Sequence, residues 1–367
     1  MPERSMPERS MAEKRVTAKG TADRGSALLE ARDLTRTFRV GSGLRSRSLL
    51  HAVDDANFAI GSSEIVALVG ESGSGKSTIA RLLAQVYTPS SGEILFEGTP
   101  LRQLRSRSDV LRYRAAVPMV FQDPFSSLNP AYTVSHGIMR GLQLHRPDIA
   151  ASQRRAEVAR LLEAVGLAPA GQVVNRYPYE LSGGQRQRIG FAQALAYRPK
   201  VILADEPVSM LDISIRIGLL NVMAALRDEQ GVSLLYITHD IASARYVADR
   251  MMVMYAGRIV ESGPVDDVLG DPRHPYTQLL VAAVPDPRAE LTVTAEMAKG
   301  EPPKVINPRP GCRFADRCPL VQDVCRTTTP PLLELTPGIE VACHVAAADA
   351  GRGAESATAA TSKTPVS

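Results

Sequence analysis

The chain has 367 residues, of which 44% are hydrophobic and 22% are charged. This apolar fraction can form a substantial core, so the composition excludes a fully disordered chain, a collagen and a coiled coil, and the length predicts about two domains. The formal net charge is only +4, because 43 Lys and Arg nearly balance 39 Asp and Glu. That balance gives no indication of a nucleic-acid partner.

Neither a membrane span nor a secretory signal is predicted. No apolar run approaches the roughly 20 residues that a membrane helix requires. The N-terminus reads MPERSMPERSMAEKR, which is charged throughout, whereas a signal peptide has an apolar segment. We therefore expect a soluble or peripheral chain that stays in the cytoplasm, and the sequence leaves open whether Met1, Met6 or Met11 is the start.

Composition and spacing divide the chain into segments. Residues 1–26 are rich in charge, and residues 346–367 lack large apolar side chains almost entirely. Both segments are predicted to be disordered tails. From 28 to about 98, apolar runs such as EIVALVG and GEILFEG alternate with glycines, which predicts β-strands. From 132 to 167 the spacing becomes helical, and one apolar face is formed by Val158, Leu161, Leu162, Val165 and Leu167.

Residues 70–78 read GESGSGKST between an apolar strand, IVALV, and a helical pattern, IARLLAQV. This context fits the phosphate loop G-x-x-x-x-G-K-[ST], in which backbone N–H groups and a helix N-terminus face the phosphates. Lys76 is predicted to reach the β and γ phosphates, and Ser77 to bind Mg²⁺. The predicted nucleotide-binding residues of this loop are Gly70, Glu71, Ser72, Gly73, Ser74, Gly75, Lys76, Ser77 and Thr78.

A second acidic motif follows a buried strand at 201–206, VILADE. Its carboxylates would emerge at the carboxyl end of the strand, where α/β proteins bind ligands. Asp205 is predicted to hold the magnesium ion, and Glu206 to orient or deprotonate the attacking water. A helix is predicted at 185–197, before this strand. A second helix near 216–229 and another strand, SLLYIT, follow it. This alternation of helices and strands indicates an α/β fold with a parallel sheet.

Residues 181–188, LSGGQRQR, stand just upstream of VILADEP. By chemistry alone they could form an anion-binding nest at a helix start. As a string they resemble the signature of ATP-binding cassette proteins, and the resemblance covers about 28–269. It implies a P-loop NTPase cassette with an N-terminal β subdomain and a helical subdomain at about 123–184, and it implies nucleotide contacts from Ser182, Gly183, Gly184 and Gln185.

The same resemblance assigns the remaining motifs. Phe38 corresponds to the aromatic residue that stacks on adenine, although its pattern alone indicates a core residue. Gln122, in VFQDPFSSLNP, is similar to the glutamine that senses metal and water. Asp212 ends a D-loop, SMLD, in which Met210 stands where Ala is more usual, and His239 is similar to the histidine that contacts the γ phosphate.

Cassettes of this family close head to tail around ATP, so the resemblance implies a dimer with an identical or sister ATPase. One phosphate loop would then face Ser182 and Gly184 of the second cassette. A single cassette without a membrane span also implies two permease subunits and an extracytoplasmic binding protein. The chain itself is then expected at the cytoplasmic face of the membrane.

The string GPVDDVLGDPRHPYTQLLVAAVPDP and the cysteine-bearing tail at 270–345 resemble the C-terminal module of oligopeptide and dipeptide importer ATPases. The expected function is therefore ATP hydrolysis that powers peptide import. The alternatives are the same role in oligosaccharide or β-glucoside import and, more remotely, a soluble cassette ATPase without a transport role.

The four cysteines, Cys312, Cys318, Cys325 and Cys343, have the spacing C-x5-C-x6-C-x17-C. A reducing cytoplasm disfavours disulfides, and the spacing is not the short C-x2-C of common zinc sites. Similar tails in the peptide importer ATPases hold an iron–sulfur cluster, so the resemblance implies one here. Zinc, free thiols and disulfides remain as alternatives.

Overall fold

The computed structural model describes residues 27–41, 48–123, 128–283 and 303–351. The predicted tail at 1–26 lies outside these residues, as does the part of the C-terminal tail from 352 onward. Residues 344–351 are helical, so ordered structure continues past the predicted start of that tail at 346. The alanine-rich sequence there has high helix propensity.

The described strands build two sheets. They are β1 (Leu29–Val40), β2 (Ser48–Ile60), β3 (Ile65–Val69), β4 (Ser91–Phe96), β5 (Thr99–Pro100), β6 (Met119–Val120), β7 (Val201–Asp205), β8 (Ser233–Thr238), β9 (Arg250–Tyr255), β10 (Arg258–Pro264), β11 (Leu333–Thr336) and β12 (Ile339–Val341).

Apart from the helix at 344–351, the described helices lie between these strands. They are α1 (Lys76–Leu83), α2 (Arg107–Ala116), α3 (Val134–His145), α4 (Arg154–Ala164), α5 (Gly183–Leu195), α6 (Ile213–Gln230), α7 (Ile241–Val247), α8 (Val265–Gly270), α9 (Pro275–Ala282) and α10 (Asp323–Thr327), with 3₁₀ turns at Leu101–Gln103, Ala170–Gln172, Pro178–Glu180 and Ala315–Arg317.

The larger sheet has the strand order β11-β12-β10-β9-β3-β8-β7-β6. Its strands β9, β3, β8, β7 and β6 are parallel to one another, which confirms the parallel sheet predicted from the alternation of strands and helices. The smaller sheet, β2-β1-β4-β5, is antiparallel. In a parallel sheet all carboxyl ends lie at one edge, so the segments that follow β3, β6, β7 and β8 meet there.

Burial explains why these segments form central strands and packed helices. Strands β3, β7 and β8 are buried along their whole length, as expected for parallel strands covered on both faces. The helical face predicted within 132–167 is also buried, and α3 and α4 form there. Its five predicted core residues, Val158, Leu161, Leu162, Val165 and Leu167, are each at most 5% exposed.

Two helices begin earlier than their apolar patterns predict. Helix α5 starts at 183 rather than 185 and α6 at 213 rather than 216. Ser182 and Asp212 occupy the two N-cap positions, and residues of these types are preferred there. A cap position is set by backbone hydrogen bonding, which an apolar periodicity does not report.

The C-terminal segment adds to the larger sheet. Strand β12 pairs with β10 through Glu261 opposite Val341, and β11 pairs with β12. Tyr276 of α9 and Phe314 are both at most 2% exposed and join the same core as β3 and β8. Within the described part of the chain, no helix has the length and apolar character that crossing a membrane requires.

Candidate functional site

The predicted phosphate loop connects β3 to α1 and lies against two other strands. Gly70 and Gly75 have φ angles of +152° and +109°, which residues other than glycine rarely adopt. A Cβ at Gly70 would lie 2.1 Å from the carbonyl oxygen of Met254, and one at Gly75 would lie 2.1 Å from that of Ala52. The backbone therefore takes a path that only glycine permits at these two positions.

Lys76 is the first residue of α1 and is 5% exposed. Its Nζ donates to the carbonyl oxygens of Gly70 and Glu71, each at 2.8 Å. Burial lowers the pKa of Lys76, and the nearby carboxylates Glu206 and Asp205 oppose that shift. The ammonium group thus lies inside the loop, at the helix N-terminus where an anion is favoured.

Ser77 and Asp205 meet at the edge of the sheet. Ser77 Oγ donates to Asp205 Oδ1 at 2.9 Å. Asp205 is 6% exposed; burial raises its pKa, whereas the hydrogen bond from Ser77 lowers it. A hydroxyl and a carboxylate beside a phosphate loop are the hard oxygen ligands that Mg²⁺ takes, so these residues fit the predicted magnesium site.

Glu206 follows β7 and contacts residues from two further strand ends. Gln122 Nε2 donates to Glu206 Oε2 at 3.1 Å, and His239 Nδ1 lies 3.3 Å from Glu206 Oε1. Glu206 has a φ of +46°, and its N–H donates to the carbonyl oxygen of Ile237 at 2.9 Å. A left-handed backbone costs such a residue about 1–2 kcal/mol, and strain of this kind is frequent at functional sites.

Ser209 belongs to this group although the sequence did not single it out as a site residue. Its Oγ donates to the carbonyl oxygen of Glu206 at 3.0 Å and accepts from Gln122 Nε2 at 3.4 Å. Its position three residues after Glu206, in the predicted D-loop, was the signal that could have identified it. Ser209 therefore links Gln122 to the backbone that carries the acidic residue.

The signature residues form a separate structure at the start of α5. Ser182 Oγ accepts from the N–H of Gln185 at 3.3 Å, and Gln185 Oε1 accepts from the N–H of Ser182 at 3.0 Å. This reciprocal pair is a capping box. A Cβ at Gly184 would lie 2.3 Å from Ile215 of α6. No hydrogen bond between described residues joins this signature to the phosphate loop of the same chain.

Phe38 and Asp212 lie outside the contacts described above. Phe38 is half-buried in β1, where its ring meets Tyr87 edge to face with centroids 5.4 Å apart and lies 4.7 Å from the guanidinium of Arg36. Asp212 is exposed at the N-cap of α6. The neighbouring Ile213 is 74% exposed, so the D-loop and its helix start present an open apolar surface.

The cysteines of the C-terminal segment are all free thiols. Cys312 N donates to the carbonyl oxygen of Cys325 at 2.7 Å. Burial raises the pKa of Cys312 to about 11, and the neighbouring thiols contribute to that rise. Among the described residues, no group of three or more His, Cys, Asp or Glu side chains is arranged to hold a metal ion. The thiols of Cys318, Cys325 and Cys343 nevertheless lie close enough to Cys312 to contribute to the rise in its pKa.

Two family models match the chain. Residues 53–209 match the model described as ABC transporter. Residues 260–325 match the model described as oligopeptide/dipeptide transporter, C-terminal region. The first match contains the phosphate loop, the signature and the acidic motif, and the second contains Cys312, Cys318 and Cys325.

Curated relatives are similar along nearly their full length. The "Probable peptide ABC transporter ATP-binding protein y4tS" of Sinorhizobium fredii is 44% identical over 88% of this chain and 90% of its own length. The oligopeptide transport ATP-binding protein AppF of Bacillus subtilis is 40% identical over 89% of this chain and 99% of its own length.

Solved structures share the fold. The dimeric post-hydrolysis state of an ATP-binding cassette bound to ADP and Pi matches with a TM-score of 0.57 and 27% identity, over 65% of this chain and 98% of that chain. The structure of cbiO1 from Clostridium perfringens, part of an ABC transporter complex, matches with a TM-score of 0.58 and 27% identity, over 67% of this chain and 92% of that chain.

Proposed function

Since the chain belongs to the family of ABC transporter ATP-binding proteins, we propose that it hydrolyses ATP to power a binding-protein-dependent peptide importer. The observation that carries the peptide assignment is the match of residues 260–325 to the oligopeptide/dipeptide transporter C-terminal region. Relatives named for peptide and oligopeptide transport, at 44% and 40% identity, support it. The chemical reaction is hydrolysis of the bond between the β and γ phosphates of ATP.

The phosphate loop would bind the nucleotide. Its N–H groups at the start of α1 face the phosphates, and Lys76 exchanges the carbonyl oxygens of Gly70 and Glu71 for phosphate oxygens. Ser77 and Asp205 would hold Mg²⁺, together with Gln122. When bound, the ion neutralises charge on the transferring phosphoryl group.

Glu206 would act on the attacking water. The carboxylate accepts a proton from that water as its oxygen bonds to the γ phosphorus, and the bond to the β-phosphate oxygen breaks to give ADP and phosphate. Gln122 and His239, at 3.1 and 3.3 Å from the two carboxylate oxygens, hold Glu206 in place. His239 would also contact the γ phosphate.

The signature would act on a nucleotide bound by a second cassette. Ser182 caps its own helix, and the helix N-terminus it begins favours an anion. Met210 and Ile213 are 64% and 74% exposed. They belong to the segment whose Leu211 and Ile215 approach Gly183 and Gly184 of the signature, and a second cassette would cover them. The dimeric form of a similar cassette bound to ADP and Pi supports this arrangement. ATP would then bridge the two cassettes, and its hydrolysis would release them.

Exposed aromatic residues beside Gln122 and before α5 would contact the permease subunits. Phe121, Tyr177 and Tyr179 are 45%, 37% and 68% exposed, and the two tyrosine rings stack with centroids 5.5 Å apart. Gln187 Nε2 donates to the carbonyl oxygen of Phe121 at 3.1 Å, which connects Phe121 to α5. The ATPase would thereby sit at the cytoplasmic face of the membrane, and an extracytoplasmic binding protein would deliver the peptide.

The iron–sulfur cluster at the four cysteines stays a prediction of the family resemblance. No step of the proposed mechanism depends on it. Iron and acid-labile sulfide should be measured in the full chain after anaerobic purification. Brown protein that contains both would establish the cluster. Colourless protein with zinc would establish a zinc site, and protein without metal would leave free thiols or disulfides.

The function is tested by ATP-driven uptake into membrane vesicles that carry this chain with its co-expressed permeases and binding protein. Labelled short peptides and labelled oligosaccharides are supplied side by side, and vesicles with the Glu206→Gln chain serve as the control. Peptide uptake that is lost in the control supports the proposal. Oligosaccharide uptake alone would contradict the peptide assignment, and ATPase activity without uptake of either would contradict both cargo assignments and point to another substrate or a non-transport role.

A further inference from the structure

An arginine of the C-terminal segment reaches the phosphate loop. Arg317 Nη1 donates to Glu71 Oε2 at 3.0 Å, and Arg317 Nη2 donates to Glu71 Oε1 at 3.1 Å. The two side chains are only 12% and 24% exposed. Two parallel N–H···O bonds define the orientation of a carboxylate as well as its position. The second residue of the loop is therefore held from a segment almost 250 residues away in sequence (separation 246).

Tyr276 holds the backbone of the same loop residue. The N–H of Glu71 donates to Tyr276 Oη at 2.9 Å, and Tyr276 is fully buried. Arg317 Nη1 also lies 3.3 Å from Tyr255 Oη, to which it donates. The rings of Tyr255, Tyr276 and Phe314 pack with centroids 4.5 to 5.6 Å apart. The ion pair thus stands on a rigid aromatic cluster.

Arg313, which lies four residues before Arg317, holds the hairpin beneath the loop. It donates to the carbonyl oxygen of Ala256 at 3.0 Å and pairs with Asp54. The next residue of that hairpin, Gly257, donates its N–H to the carbonyl oxygen of Ser74 at 2.9 Å. The segment between the first two cysteines therefore contacts the loop directly and also supports it from below.

These contacts leave the rest of the loop available for a nucleotide. The N–H and the carboxylate of Glu71 are engaged by the C-terminal segment, and its carbonyl oxygen accepts from Lys76 at 2.8 Å. We propose that Arg317 is a positioning residue that holds Glu71 and thereby keeps the phosphate loop in its nucleotide-binding shape. The cysteine-bearing segment is then coupled to nucleotide affinity. This inference rests on the nucleotide site of the proposed function.

The test is the dissociation constant for MgATP, measured by calorimetry on the full chain. Arg317→Gln should weaken MgATP binding about fivefold or more, a typical size for coupling between two sites. Arg317→Lys keeps the charge without the two-pronged geometry and should give an intermediate value. The matched control is Arg326→Gln, because Arg326 belongs to the same segment but pairs with Asp316, which is 93% exposed. The dissociation constant of this control should stay within about twofold of that of the unaltered chain, because exposed ion pairs contribute little.

A double-mutant cycle separates positioning from general stability. Glu71→Gln and Arg317→Gln should each weaken binding, and the double variant should be no weaker than the worse single variant, since both remove one interaction. The steady-state KM of the assembled transporter should rise while kcat changes little. A merely structural role would instead lower the thermal midpoint and the binding-competent fraction, with an unchanged dissociation constant.

Two results would overturn the inference. One is an Arg317→Gln chain that binds MgATP within about twofold of the unaltered chain; the other is a cycle in which the two single effects add. An unaltered chain that does not bind MgATP would instead remove the proposed nucleotide site and the inference with it. If the unaltered chain and Arg317→Gln both bind MgATP normally, the inference is wrong but the proposed nucleotide site stands.

Discussion

Ser77 and Asp205 lie 128 residues apart in sequence, yet Ser77 Oγ donates to Asp205 Oδ1 at 2.9 Å. The contact joins the phosphate loop to the acidic motif. It exists because β3 and β7 are both parallel to β8, so their carboxyl ends lie on the same edge of the sheet.

Lys76→Ala should weaken MgATP binding by more than about tenfold. The ammonium group is the one that would leave the carbonyl oxygens of Gly70 and Glu71 for the phosphates, and charge-assisted hydrogen bonds contribute about 1.5–3 kcal/mol each. Isothermal titration calorimetry on the full chain measures the effect. Lys200→Ala, at an exposed lysine that pairs with Glu97, is the control. An unchanged affinity in Lys76→Ala would contradict the assignment of the loop.

Glu206→Gln should keep MgATP binding and lower the ATP turnover of the assembled transporter by about 100-fold or more, because general-base catalysis contributes about 10²–10⁴-fold. The amide has the shape of the carboxylate but cannot take the proton. Phosphate release and dimer formation with ATP are the two measurements. Asp228→Asn changes an exposed carboxylate of α6 that pairs with Arg227 and should retain full turnover. Turnover near normal in Glu206→Gln would exclude Glu206 as the base.

Gly75→Ala and Gly73→Ala should differ sharply in stability. Both glycines have positive φ angles, +109° and +79°, but only the Cβ at Gly75 meets backbone, 2.1 Å from the carbonyl oxygen of Ala52. Gly73→Ala should therefore cost about 1–2 kcal/mol for the left-handed backbone. Gly75→Ala should cost about 3 kcal/mol or more, because the loop and β2 must move apart. Urea unfolding gives both values, and equal costs would contradict the close approach of loop and strand.

His274→Asn should make stability less sensitive to acid. Burial lowers the pKa of His274 to about 3 from its usual 6.5, so between these values the unfolded chain binds one more proton at this site than the folded chain. Stability from this group is present above pH 6.5 and falls as the pH drops, by up to about 1.4 kcal/mol per unit. His274 Nδ1 accepts from the N–H of Tyr276 at 3.0 Å, and asparagine can keep that cap.

Unfolding by urea from pH 7 to pH 4.5 tests this difference. The unaltered chain should lose more stability over the range than His274→Asn. Glu261, which accepts from the backbone of Arg273 and His274, is present in both chains, so the comparison isolates the histidine. Parallel pH profiles for the two chains would show that the histidine does not contribute.

The local sequence predicts the proposed nucleotide site motif by motif. Phosphate binding requires glycines, a lysine and a hydroxyl within one turn, and a short string can specify that backbone path. The acidic pair is predictable for the same reason, since a buried apolar strand ends where polar residues begin. Periodicity also predicted the buried face of α4. Caps shifted the starts of α5 and α6, because a cap depends on individual hydrogen bonds.

Contacts between distant segments were decided only by the tertiary structure. Gln122 reaches Glu206 and Ser209 across 84 and 87 residues, and Arg317 joins the C-terminal segment to Glu71, although no spacing in the sequence relates the two ends of these contacts. The family resemblance predicts an iron–sulfur cluster at the four cysteines, and among the described residues no group of three or more metal-ligating side chains is identified, so the cluster stays a prediction. A local string can specify a backbone path, but strand order and packing alone determine which distant side chains come within hydrogen-bonding distance.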